Sequence, residues 1–133
     1  MSPENRALAV AAEVARGKDA LESAELLVAS GKYADAVARA YYAIHHLARA
    51  LLRTEDVETR THEALRSQFG LHFVRTGRLE PRFARTLAEV QRFRELADYE
   101  STFTFTEDHA SQEVRAAREF VNAAREYLHA AGY

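Results

Sequence analysis

Ala36–Leu52 reads AVARAYYAIHHLARALL. Val37, Ala40, Ile44, Leu47 and Leu51 recur at steps of three and four, the spacing that lays side chains along one face of an α-helix. From Ala36 to Ala48 the only formally charged side chain is Arg39. A helix that is apolar nearly all round has to be covered on more than one side. The spacing therefore predicts a central helix, from about Tyr33 to Arg53, inside a helical bundle.

The flanking segments supply the cover. Upstream, Ser2-Pro3-Glu4 reads as an N-cap, a proline at the first helical position and a first-turn acid. It opens a helix to about Ala29, with Leu8, Ala12, Ala15, Leu21, Ala24 and Val28 as its seam, a bend at Gly17 and a stop at Ser30-Gly31. Downstream, Thr61 caps a shorter helix from His62 to about Val74, ended by Arg75-Thr76-Gly77. Pro81 opens a fourth, whose seam is Phe83, Leu87, Val90, Arg94 and Ala97. Ser101–Phe105, β-branched and aromatic, reads as an extended connector. Thr106 then caps the last helix, with Glu107 and Asp108 in its first turn and Val114, Ala117, Val121, Ala124 and Leu128 as its seam. The expected fold is all-α: an antiparallel four-helix-type bundle with one additional short helix, residues 1–133 forming a single domain.

Composition agrees. With 133 residues, 47% of them hydrophobic, the chain can bury one core, and its two prolines and five glycines leave long stretches uninterrupted. The absence of cysteine removes disulfides, thiolate zinc sites and cysteine nucleophiles. MSPENRALAV lacks the basic region and apolar block of a signal peptide, and no run reaches membrane-spanning length, so a cytoplasmic protein with no membrane partner is expected. A net charge of −2 argues against a general nucleic-acid coat protein but leaves room for a local basic groove. Arginine supplies nearly all the positive charge, Lys18 and Lys32 being the only lysines; it suits bidentate phosphate contacts, although a GC-rich coding sequence gives the same bias.

Two places break the plain bundle pattern. On the central helix Asp35, Arg39, Tyr42, His46 and Arg49 step by four, three, four and three. Arg39 and His46 fall about 20° from a common azimuth, with Tyr42 between them, while His45 points elsewhere with Tyr41. Two readings are open. In the plain one, Asp35 and Arg39 form an i,i+4 ion pair and His46 is a core histidine bonded to Tyr42 or a carbonyl. In the other, this face carries chemistry. The second place is RELADYE, Arg94–Glu100, where an arginine occupies a seam position expected to be apolar. A guanidinium there needs a partner, and Asp98, one turn on, is the natural one. Arg75, Arg78, Arg82, Arg85 and Arg92 make the neighbourhood basic, diluted by Glu80 and Glu89. That set is either a solvated surface or a phosphate-binding lip.

Three stretches together resemble the HEPN domain in its small stand-alone prokaryotic form: DAVARAYYAIHHLARALL (Asp35–Leu52), THEALRSQFGLHFVRTG (Thr61–Gly77) with His62 and Phe69, and RELADYE. The resemblance implies a helical bundle that pairs as a homodimer, with functional residues facing a cleft between subunits. It also implies metal-independent endoribonuclease toxins paired with a minimal nucleotidyltransferase antitoxin. The family signature, arginine and then histidine after four to six residues, is met by Arg39 with His45 or His46, and also by Arg66 with His72. In the best-described branch the late helix carries a histidine before its tyrosine; here Asp98 stands before Tyr99. Tyr99 is also the nearest equivalent of a tyrosine to which some antitoxins add nucleotide groups.

In this reading His46 is the general base or acid, Arg39 and Arg94 bind phosphate, Asp98 orients Arg94, and Tyr99 positions or stacks the RNA. Tyr42, Arg49 and Arg92 complete the RNA contacts. No cofactor and no metal are expected. The alternative is a non-catalytic module that binds a nucleotidyltransferase, a nucleotide or RNA. A di-iron bundle enzyme is rejected, because Glu126 and His129 form a lone Glu-x-x-His pair where two such pairs and further carboxylates are required.

Overall fold

The computed structural model describes residues 1–133 and contains five α-helices and no strand. α1 is Pro3–Ala29, α2 Tyr33–Arg53, α3 His62–Phe69, α4 Pro81–Tyr99 and α5 Glu107–Ala130; a single π-helical stretch, Gly70–Val74, extends α3. Three of the starts have the side-chain cap their sequence suggests. Ser2 accepts from the Asn5 amide, Thr61 from that of Ala64 and Thr106 from that of His109. Gly31, at φ +78°, turns the chain between α1 and α2, and the Lys32 amide closes the turn onto the Leu27 carbonyl.

α2 packs against each of the other four helices. Its seam, Val37, Ala40, Ile44, Leu47 and Leu51, is fully buried, and Ala36, Ala43, Ala48, Ala50 and Leu52 on its other sides are covered as well. Each buried branched aliphatic here is worth about 2 kcal/mol of removed apolar surface. α5 buries all five seam residues, and α4 buries Phe83, Leu87 and Val90. Phe69, Phe73, Phe83 and Phe120 stack where α3, α4 and α5 converge. Phe105 anchors the connector into the same core.

α1 departs from its expected seam. Leu8, Ala12 and Ala15 face solvent; Val10, Gly17, Ala20 and Ala24 are the buried positions. Gly17 sits inside the uninterrupted α1, on its α2-facing side. A Cβ there would stand 2.1 Å from Leu47 Cδ2 and 3.1 Å from the Ala43 carbonyl oxygen, so the glycine is what lets α1 close on α2. No helix is long and apolar enough to cross a membrane.

Candidate functional site

α1 against one side of α2, and α3 and α4 against the other, enclose the only histidines of the central helix. His46 Nδ1 lies 2.8 Å from Glu13 Oε2, across the α1–α2 contact that Gly17 makes close. Arg49, one turn on, stands 3.4 Å from the other oxygen of Glu13. Burial raises the Glu13 carboxyl, but the His46 hydrogen bond and the positive charge of Arg49 outweigh it and hold the group below its ordinary value. Glu13 is thus ionised at neutral pH and fixes the His46 proton on Nδ1, leaving Nε2 without a protein partner. His46 keeps 17% of its side chain exposed.

Next to it the rings of His45 and His46 meet edge to face, 5.3 Å between centroids. His45 is pulled down to about 4, chiefly by burial and then by His46, Arg49 and His62, so it is neutral at pH 7. The fully buried Tyr41 hydroxyl hydrogen-bonds with His62 Nδ1 and comes within 3.4 Å of His45 Nδ1. Burial drives the Tyr41 phenol far above its ordinary value, Arg94 opposing, so it stays protonated.

α4 closes the far end. The Arg94 guanidinium sits over the Tyr41 and Tyr42 rings, 5.5 and 5.2 Å from their centroids, and donates to the Tyr42 hydroxyl at 3.0 Å. Arg39 covers Tyr42 at 5.5 Å. A continuous belt therefore runs from Glu13 through His46, His45, Tyr41 and His62 to Tyr42, Arg94 and Arg39.

A profile for the HEPN domain matches residues 12–127, a span that includes every residue of this belt. The chain belongs to the HEPN family. Relatives with appreciable identity include a Methanocaldococcus jannaschii protein named "putative toxin", 39% identical over 102 residues, which cover 77% of this chain and 75% of the relative. A Pyrococcus horikoshii protein named "UPF0332 protein" is 41% identical over 70 residues, 53% of this chain and 49% of its own. A second M. jannaschii "putative toxin" is 27% identical over 109 residues, 82% of this chain and 74% of its own.

Within this HEPN fold the sequence-derived candidates divide. Arg39 and Arg94 both lie over the Tyr42 ring, and Asp98 stands 3.5 Å from Arg94, although the arginine's hydrogen bond goes to Tyr42. His45 stands with Tyr41, as its azimuth suggests, and meets His62 of α3, while its ring also touches that of His46, which joins His46 to the rest. Asp35 makes no ion pair with Arg39, and the partner of His46 is neither Tyr42 nor a carbonyl but Glu13. Arg49 shares that carboxylate. Tyr99 is 84% exposed and Arg92 lies over Phe93 (5.0 Å); neither bonds to the belt. Glu13, Tyr41, His45 and His62 carry much of the belt without having been singled out for a role. The one available signal for Glu13 was a lone carboxylate in the alanine- and valine-rich run Ala11–Ala15.

A second polar cluster joins α4 to α5. Glu113 is 3% exposed, His109 Nε2 stands 3.2 Å from its Oε1, and its Oε2 has no partner. Burial, followed by the charge of Glu89, pushes its carboxyl up to about 7 against the pull of Arg92. Nowhere do three His, Asp or Glu side chains converge as metal ligands would.

Proposed function

We propose that this HEPN chain is a toxin-like ribonuclease that cleaves RNA without a metal, acting as a homodimer and held in check by a minimal nucleotidyltransferase antitoxin. The observation that carries the reading is the 2.8 Å bond from His46 Nδ1 to an ionised Glu13, with Nε2 unengaged and the side chain 17% exposed. An imidazole held in one tautomer by a carboxylate is a ready general base. His46 Nε2 would take the proton of a ribose 2′-hydroxyl. The 2′-oxygen then attacks the adjacent phosphorus and the bond to O5′ breaks, giving a 2′,3′-cyclic phosphate and, once O5′ takes a proton from solvent, a free 5′-hydroxyl. Glu13 stabilises the imidazolium that forms. Arg39 and Arg94, stacked on Tyr42, meet the charge that builds on the phosphorane. Asp98 steadies Arg94, Arg49 binds backbone phosphate, and Tyr99 stacks on RNA bases. The toxin names of two relatives agree with this reading.

Nuclease-free recombinant protein, incubated with tRNA and total RNA in the presence of a chelator, should cleave, and His46→Ala should not. If wild type and variant leave the same RNA intact, the catalytic assignment fails.

One observation favours a second reading, a non-catalytic module. Arg94 is already engaged by Tyr42 and Asp98, while Tyr99 stands free on the surface for a partner enzyme to reach. Expression of the chain alone separates the two: a toxin arrests growth and an adaptor does not.

A further inference from the structure

Of the six histidines, three lie away from the belt. His72 Nε2 is 3.1 Å from Gln68 Oε1, His109 pairs with Glu113, and His129 lines a groove between α1 and α5. The other three are in contact. The His45 ring lies 5.3 Å from that of His46 and 5.7 Å from that of His62, so the two outer rings are at most about 11 Å apart. His45, the inner one, is neutral at pH 7, held so in part by the charges of its two neighbours. His62 is half-buried at the first position of α3, and its hydrogen bond runs from Nδ1 to the Tyr41 hydroxyl. Its Nε2, like that of His46, has no protein partner.

The partners of the two outer rings differ in kind. An ionised Glu13 can only accept, so it takes the His46 Nδ1 proton and leaves Nε2 bare. The Tyr41 hydroxyl both accepts and donates. It stays protonated, accepts from His62 Nδ1–H and donates to His45 Nδ1, 3.4 Å away. Every proton in that chain has an acceptor, and the Nε2–H of a protonated His62 is left over for a substrate. The same chain serves the ring once Nε2 has lost its proton. The Tyr41 ring, 5.3 Å from that of His62, also lies under the Arg94 guanidinium, so the two cations share one support.

In the reaction of His46, O5′ is left to take its proton from solvent. An alkoxide leaves poorly unless a proton reaches it as its bond to phosphorus breaks. We infer that His62 is the general acid of that reaction, giving its Nε2 proton to O5′, with Tyr41 as its positioning residue. The assignment rests on the ribonuclease reading. His46 Nε2 takes the 2′-hydroxyl proton, the 2′-oxygen bonds to phosphorus, the electron pair of the P–O5′ bond goes to O5′, and His62 supplies the proton. His46 ends protonated and His62 neutral, so the summed charge of the two rings is unchanged, and exchange with water resets both.

The test compares leaving groups. The wild-type cleavage site is mapped on tRNA, and a 12-mer is made with one free 2′-hydroxyl at that site and 2′-O-methyl riboses elsewhere. Its scissile phosphate is joined either to O5′ or to S5′ of the next nucleotide; a thiolate departs without a proton. In single-turnover assays His62→Gln should be about 100-fold or more slower than wild type on the oxygen substrate, and within about threefold of it on the sulfur substrate. His46→Ala should be slow on both. The wild-type pH–rate profile on the oxygen substrate should be bell-shaped, and His62→Gln should lose its alkaline limb. Tyr41→Phe keeps Nε2 but removes the acceptor of Nδ1–H, so it should move that limb to lower pH. Circular dichroism checks the fold of each variant. Equal slowing of His62→Gln on the two substrates, which a structural role would give, overturns the inference. So does a wild-type rate on the oxygen substrate, or an alkaline limb that neither variant alters. In each of these cases wild type still cleaves and His46→Ala does not. Failure of the ribonuclease reading looks different: wild type leaves tRNA and total RNA intact, and the assignment of His62 falls with it.

Discussion

Around α2, Glu13, Tyr41, Tyr42, His45, His46 and His62 are part-buried or buried and each has a polar partner; between α4 and α5, Glu113 is buried with one oxygen that has none. Both clusters sit in one core and both shift proton affinities, in opposite senses. His45 is driven down and stays neutral at pH 7. Glu113 is driven up to about 7 and changes charge there. Closing a polar network fixes geometry, which a reacting group requires, and the shifted group in each cluster makes stability depend on pH, with opposite slopes.

The sharpest way to break the belt is at its Glu13–His46 end. His46→Ala should lower RNA cleavage by about 10²–10⁴-fold, the usual worth of a general base. Glu13→Gln keeps a hydrogen-bond acceptor without the charge and should fall between that variant and wild type, measured as single-turnover rates with circular dichroism unchanged.

Gly17→Ala attacks the seat of the same pair. The added methyl meets Leu47 Cδ2 at 2.1 Å and the Ala43 carbonyl at 3.1 Å, inside a side chain with no exposed surface to retreat into. Overpacking of about 1–3 kcal/mol should exceed the helix-propensity gain of about 1 kcal/mol, giving a lower urea midpoint and weaker cleavage together.

At the other cluster, the Glu113 carboxyl is raised from 4.5 when unfolded to about 7 when folded. The stability that goes with its native proton is complete below about 4.5 and is lost as pH rises through about 7. Glu113→Gln should remove that loss, stabilising the chain by about 1–2 kcal/mol at pH 8 and by less at pH 5, read from urea unfolding at the two pH values.

His45 supplies the opposite slope. Its value falls from 6.5 to about 4, so the folded state refuses a proton that the unfolded chain accepts, and stability drops as pH falls from 6.5 toward 4. His45→Phe should flatten this acid limb by about 1 kcal/mol at pH 4.5 while leaving pH 7 stability nearly unchanged. An unaltered acid limb would place the titrating group elsewhere.

What could be read from the chain alone follows from how far each interaction reaches along it. The seam of α2 was legible because Ile44, Leu47 and Leu51 alternate with residues that cannot replace them. The seam of α1 was not. Its alanines tolerate either side of a helix and set no phase, so exposed Ala12 and Ala15 looked as suitable as buried Ala20 and Ala24. Arg94 announced itself by sitting in an apolar row, and Asp98 was found beside it. The Tyr42 hydroxyl that it binds lies 52 residues away, and Glu13 lies 33 residues from His46, separations over which periodicity carries no information. His62 could be noticed only as part of a resemblance; its bond to Tyr41 exists because α3 folds back across α2.

The extensive contact between α1 and α2 has a kinetic corollary. The two helices are consecutive, joined by the tight turn at Gly31, and the notch at Gly17 draws them together before any later segment is needed. Short-range pairing of this kind loses little chain entropy, because only the turn at Gly31 has to close. The Glu13–His46 couple lies entirely within that hairpin, so the seat of the imidazole is set by local contacts, whereas Arg94 reaches Tyr42 only through a distant helix.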